Sequence, residues 1–268
     1  MQLNHQVLFL SHGGGPMPLL NDGGHLEMVD TLKQIAVNIT KPSAIVMISA
    51  HWEESMIKIT SGSQPDLIYD YYGFPQESYE ITYPCSGHPV LADRIHQQLK
   101  KAGIESAQDT QRGFDHGLFI PLKIMFPNAD IPCVQVSLRN DLNPEAHINV
   151  GKALHALEDE NLLIIGSGFS FHNMKAFFSQ DSLESNRLNT EFETWLMDTM
   201  TDSNLDETQR ENRLIHWEQA PGSRFCHPRE EHLIPLLVCY GAAQAPCSTH
   251  YALSILNKKC SMYYWRKP

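Results

Sequence analysis

The chain has 268 residues, six cysteines and a formal net charge of −11. That length suits one large domain with a substantial core, taken here as a single catalytic domain over residues 1–268. The acidic balance argues against nucleic acid or an anionic membrane as partner, because both need a basic face, and no apolar run approaches a bilayer span. The start, MQLNHQVLFLSHGG, has no basic n-region and only four apolar residues before Ser11. No signal peptide is expected, and scattered cysteines without a C-x-x-C pair then imply reduced thiols and a cytoplasmic protein.

In chain order, QVLFLS predicts a strand and HLEMVDTLKQIAVNI a helix with apolar residues at helical spacing. SAIVMISA is a continuous apolar run, as in a strand covered on both faces. MIKITSG predicts a further short strand, and HPVLADRIHQQLKKAG a helix ended by Gly103. GLFIPLKIMFP reads as a helix with Pro121 in its first turn. Then follow a strand IPCVQVSL, a helix PEAHINVGKALHALEDEN and a strand NLLIIGSG. NTEFETWLMDTM and EEHLIPLLVCYGAA predict two more helices, the second closed by Gly241, and the tail HYALSILNKKCSMYYWR two strands around a turn at 257–259. Residues 61–87 and 213–230 are the longest irregular stretches, and loops of that length are commonly functional. The alternation of strands and helices predicts an α/β fold.

Fourteen histidines set this composition apart. Five stand at the ends of elements or in the loops between them: His12, His51, His116, His172 and His232. Ligands of open α/β sheets bind at the carboxyl ends of the strands. Three strands each deliver a histidine to that edge, and imidazole is the commonest metal ligand. Single histidines there are ordinarily hydrogen-bonded loop residues; the joint pattern favours a metal site. His25, His96, His147, His155, His216 and His250 need only surface or packing roles, while His88 and His227, each before a proline, remain pocket candidates. His227 and His232 are five residues apart, hence on different faces of an ideal helix. The glycines after His12 let the backbone turn sharply, and Pro16 stiffens the exit. GSG at 166–168 has the form of a phosphate turn, but no Walker lysine follows. G-x-S-x-G and H-E-x-x-H are absent.

The set LSHGGGPM, SAHWEE, GFPQESYEITYPCSGHP, RGFDHGLFIPLKIMFPNADIPCVQVSL, GSGFSFHN and EEHLIPLLVCYGA resembles the class III extradiol ring-opening dioxygenases. More narrowly, it is similar to the DOPA 4,5-dioxygenase branch of the LigB-like superfamily, from about residue 7 to residue 243. The resemblance implies a three-layer α/β/α sandwich around a central, mostly parallel mixed sheet. It implies His12, His51 and His232 as metal ligands, His172 as the catalytic histidine, and His116 as a substrate contact with Asp115 beside it. A Glu occupies the third ligand position in protocatechuate-type members; here it is His232, with Glu231 its neighbour. The metal implied is non-haem Fe(II); three imidazoles also suit Zn(II), in which case His172 becomes a fourth ligand. The implied reaction opens a catechol such as DOPA with O₂ to a muconic semialdehyde, His172 moving the proton. Trp52, Phe74, Tyr79 and His227 are candidates for the substrate pocket. Lys123, Arg112 and Arg224 are candidates for a cation on a substrate carboxylate. A zinc-dependent hydrolase and a non-catalytic binding protein on the same fold are the competing readings.

Overall fold

A computed structural model of the chain describes residues 6–157 and 161–266. Its elements are β1 (Gln6–Ser11), α1 (Leu26–Asn38), β2 (Ala44–Glu54), β3 (Ile57–Thr60), β4 (Leu67–Ile68), α2 (Pro89–Lys101), β5 (Ser106–Asp109), β6 (Phe114–Asp115), α3 (His116–Met125), β7 (Cys133–Arg139), α4 (Pro144–His155), β8 (Leu162–Gly168), α5 (Met174–Phe177), α6 (Leu183–Thr201), α7 (Glu207–Ile215), α8 (Ser223–Cys226), α9 (Ile234–Ala243), β9 (Thr249–Ile255) and β10 (Lys258–Trp265). Among the described residues, eight strands form one sheet in the order β5-β3-β7-β2-β8-β1-β10-β9. The centre, β7-β2-β8-β1, is parallel, and β10 and β9 continue it antiparallel. Helices cover both sides, giving the expected mixed α/β sandwich. No helix among the described residues is long and apolar enough to cross a membrane.

The central strands are largely apolar because both faces are covered. Val7–Leu10, Ala44–Ile48 and Leu162–Ile165 are all buried. Each such Leu or Ile contributes roughly 2 kcal/mol over an exposed one. This rigid slab sets β2, β8 and β1 side by side. Ser11 pairs with Gly168 and Ser49 with Ser167, so the exits of β1 and β8 adjoin, and β2 runs past them to Glu54.

Several elements differ from the sequence reading. Pro121 lies inside α3, the sixth residue of a helix that begins at His116. α9 begins at Ile234, with Pro235 in its first turn, so Glu230–Leu233 form the approach to the helix. Neither His227, which caps α8, nor His232 is helical, so a helical-face argument does not apply to them. Gly241 does not close α9; it lies inside the last turn, against the Ile148 carbonyl, and Gln244 ends the helix in the left-handed conformation (φ 50°). α6 starts six residues before the expected Asn189, on a Ser182–Ser185 capping box. α7 and the polar strand β5 were not expected. The two long irregular stretches contain β4, a short 3₁₀ turn at Gln76–Tyr79, the end of α7, and α8. The end of the helix expected over 144–161 lies partly outside the described residues, at 158–160. The β9–β10 hairpin turns at Leu256 and Asn257, both with positive φ, as a tight two-residue hairpin requires. The cysteines are free thiols.

Candidate metal centre

β1 ends at Ser11 and the next residue, His12, is buried under the loop that follows. The loop must turn at once, and Gly13 does so with φ 82°. A Cβ there would strike His25 and Met28 as well. His25, assigned above a surface or packing role, braces this loop from inside: its Nε2 accepts the Gly14 N–H (2.9 Å), and its Nδ1 faces Asp22 (2.6 Å). His51, expected at the end of its strand, lies within β2, three residues before Glu54, where the pairing with β7 shifts register. His116 opens α3, and His172 follows β8 across a short turn.

His232 reaches the same place by a close backbone approach. Its carbonyl accepts the Phe169 N–H (2.9 Å) and sits where a Cβ on Gly168 would be. The approach segment of α9 is thereby pinned to the end of β8, and the imidazole is delivered beside His12.

The ring centroids of His12, His51 and His232 form a near-equilateral triangle, with sides of 4.8, 5.0 and 5.2 Å. Nε2 of His12 and Nε2 of His51 are 3.0 Å apart. Two ligands each about 2.1 Å from one ion have about that separation. His116 faces the same space, 4.0 Å from His51 and 5.6 Å from His12 between centroids. The ligand atoms of His12, His51 and His116 lie within 4.8 Å of one another, as do those of His172, Glu231 and His232. Burial, before any neighbour, pushes the pKa of His12, His51 and His232 well below the usual histidine range; the charges that neighbouring imidazoles, His116 and His172 among them, would carry push it further, with Asp70 and Glu231 opposing at His51. The three rings are therefore neutral, the form that binds metal.

Fixed partners turn the rings. His12 Nδ1 is 3.0 Å from Ser167 Oγ. His116 Nδ1 is 2.8 Å from Asp70 Oδ1, which also accepts the His116 backbone N–H (3.0 Å). Burial alone would raise the Asp70 pKa, but the hydrogen bonds and charge of His116 outweigh it and lower it to about 2. Asp70 is thus a carboxylate and an acceptor, so His116 donates from Nδ1. His172 and His232 both direct Nδ1 to Oε1 of Glu231, at 3.1 and 2.9 Å. Burial opposes ionisation of Glu231 too, and the hydrogen bond from His172 overcomes it. The ring of His172 lies flat on that of His232.

Asp115, expected beside His116, is turned away from it. It is fully buried and bound by Ser49 Oγ (2.8 Å), Gln135 Nε2 and Arg112. Neighbouring residues at a strand-to-helix junction need not share a face, and the carboxylate that meets His116 comes from a loop 46 residues away.

Of the pocket candidates, Phe74 and Tyr79 belong to an aromatic cluster around Tyr71. Tyr71 itself meets the edge of His116 at 5.6 Å and was not anticipated. Nor was Phe169, which flanks both His12 and His172. Trp52 is placed elsewhere: its ring lies under Arg112 (4.4 Å) and its N–H donates to Glu54 (3.0 Å). His227 is a core residue. It is fully buried against Phe192 and Trp217, and its Nε2 pairs with the Ser170 carbonyl. Burial lowers its pKa to about 3. The candidate cations are already engaged: Arg112 by Trp52 and Asp115, Arg224 by Glu218 and Glu230, Lys123 by the Thr82 carbonyl.

Comparison with known proteins identifies the family. The family described as the catalytic LigB subunit of aromatic ring-opening dioxygenase matches residues 6–258. A dioxygenase, tasH, of Hapsidospora irregularis is 38% identical over 97% of this chain and 85% of that protein. Proteins named 4,5-DOPA dioxygenase extradiol are 34% identical in Beta vulgaris, over 89% of this chain and 87% of theirs, and 32% identical in Escherichia coli, over 88% and 84%. The crystal structure of an uncharacterized protein from Escherichia coli K12 superposes with a TM-score of 0.77 at 27% identity, covering 97% of this chain and 99% of that one. The chain belongs to the LigB family of aromatic ring-opening dioxygenases and is an extradiol dioxygenase.

Proposed function

We propose that the chain opens the ring of a catechol such as DOPA, with O₂, to a muconic semialdehyde. The ligand set is His12, His51 and His232, and the observation that carries it is their ring triangle, with His12 and His232 buried, His51 partly buried, and two Nε2 atoms 3.0 Å apart. Three neutral imidazoles fit a divalent ion of the iron or zinc type. Fe(II) bound there would supply Lewis acidity toward the catechol hydroxyls and the chemistry of O₂.

The remaining residues place the ring and move protons. Nδ1 of His172 is occupied by Glu231, so Nε2 is the atom that takes the proton of a catechol hydroxyl and returns it later. His116 is held by Asp70 in the same way and presents Nε2 to the substrate. Phe169 and Tyr71 line the imidazole cluster with apolar surface and exclude water from the reacting ring.

The test is the metal content of anaerobically purified protein, followed by oxygen consumption with a panel of catechols after Fe(II) reconstitution. Uptake with at least one catechol, and a yellow product from DOPA, are expected. No uptake with any catechol in metal-loaded protein overturns the reading.

A further inference from the structure

The GSG segment of β8 lies inside the sheet, where it cannot cradle a phosphate, and Ser167 is fully buried. Its hydroxyl stands between two partners: the Gly117 carbonyl at 2.5 Å and His12 Nδ1 at 3.0 Å. A hydroxyl has one hydrogen, and a carbonyl can only accept. The hydrogen therefore lies toward Gly117, and Oγ accepts from His12 Nδ1–H. In a neutral imidazole that leaves Nε2 bare, and Nε2 is the atom that faces His51.

The Gly117 carbonyl is available because of Pro121. In an α-helix the carbonyl of residue 117 bonds the N–H of residue 121. Pro121 sits at that place in α3 and has no N–H. The mid-helix proline vacates one acceptor, and that acceptor is the one that orients Ser167.

We infer that Ser167 is a positioning residue for His12, and that Pro121, by freeing the Gly117 carbonyl, fixes the direction of its hydroxyl and hence the His12 tautomer. The inference rests on the reading of His12 as a metal ligand. It also makes a claim about the metal-free protein that is independent of that reading.

The experiment is long-range ¹H–¹⁵N NMR of the His12 ring in metal-free wild type, Ser167→Ala and Pro121→Ala, with Zn(II) affinity of each measured by competition with a chromophoric chelator. Wild-type His12 is expected to carry its hydrogen on Nδ1. Ser167→Ala should shift the population toward Nε2–H and lose about 10- to 100-fold in affinity, the usual cost of removing a group that orients a ligand. Pro121→Ala gives the helix an N–H that competes for the Gly117 carbonyl; the same shift is expected, with a smaller loss of affinity. A wild-type ring with its hydrogen on Nε2 overturns the inference, as does a Ser167→Ala protein with unchanged tautomer and affinity. A Pro121→Ala protein unchanged in both overturns the carbonyl relay. If wild type shows Nδ1–H, and Ser167→Ala shifts it, but neither binds metal, the ligand assignment of His12 fails while the positioning role stands.

Discussion

The imidazole of His172 is stacked on that of His232, with centroids 3.4 Å apart and planes 17° apart, and one oxygen of Glu231 accepts from both rings. A proposed metal ligand and a proposed proton carrier thus share a single anchor. Adjacent residues of an ideal helix point about 100° apart, which would separate Glu231 from the ring of His232. In the structure Glu231 and His232 lie in a turn, and the carboxylate folds back onto its neighbour's ring.

Glu231→Gln should therefore impair binding and turnover together. An amide oxygen in the place of Oε1 can still meet both N–H groups, but it carries no charge, and hydrogen bonds to a charged acceptor are roughly twice as strong as neutral ones. Metal affinity is expected to fall about 10- to 100-fold, with a further loss of kcat at saturating metal. Arg229 provides the control. It pairs with both oxygens of Glu53 at 2.6 Å and reaches Glu231 at 3.4 Å, but it is half exposed. Exposed pairs are worth about 0.2–1 kcal/mol, so Arg229→Ala should stay within a few-fold of wild type. Chelator competition and steady-state oxygen uptake measure both variants; equal effects of the two would refute the shared anchor.

His116 and His232 are rivals for the third ligand position, since His116 also comes within reach of His12 and His51. The near-equal sides of the ring triangle favour His232. His116→Ala and His172→Ala should keep one metal per chain and lose most of their turnover. His12→Ala and His232→Ala should lose the metal. Metal analysis decides: a metal-free His116→Ala protein beside a loaded His232→Ala protein would reverse the assignment.

The histidines were legible because each stands within a few residues of the end of an apolar strand or the start of a helix, and strand ends of a parallel sheet converge. Their partners were not. Asp70 lies in a loop rich in tyrosine, and nothing local links it to His116. Ser167 was visible only as the middle of a glycine pair. α7 was overlooked although Asp206 and Gln209 form a capping box at its start, because its nine residues are mostly polar and bury only Arg210 and Leu214. The early start given to α9 came from following the apolar pattern through Leu233 while passing over Pro235, which marks the first turn. Tertiary placement of polar groups has no periodicity, so the periodic signals that located the slab could not locate them.

Away from the metal centre, Glu193 on α6 is a buried carboxyl whose Oε2 accepts from Ser261 (2.6 Å). Burial raises its pKa to about 7, against hydrogen bonds from Ser261 and Ser170. The folded state holds this proton more tightly than the unfolded chain, where the ordinary value is 4.5. Its contribution to stability is thus complete below about pH 4.5 and is lost as pH rises toward 7, of the order of 3 kcal/mol in total. Glu193→Gln removes the titration. Its melting temperature should change less than that of wild type between pH 5 and 7.5, with the variant more stable at the upper end. Parallel melting curves for the two proteins across that range would show that Glu193 is ionised in the fold.

Gly168 tests how His232 is delivered. The His232 carbonyl occupies the space of a Cβ on Gly168, while its oxygen accepts the Phe169 N–H. Backbone cannot move aside as a flexible side chain can, so Gly168→Ala must displace either the end of β8 or the approach to α9. A cost of about 1–3 kcal/mol is expected for such overpacking. Because the displaced segment carries His232, metal affinity should fall as well, even under conditions where the variant is fully folded. Chemical denaturation and chelator competition on the same preparation separate the two effects. A Gly168→Ala protein that is destabilised but binds metal as wild type does would mean that His232 is held in place by its ring contacts and Glu231 rather than by this backbone approach.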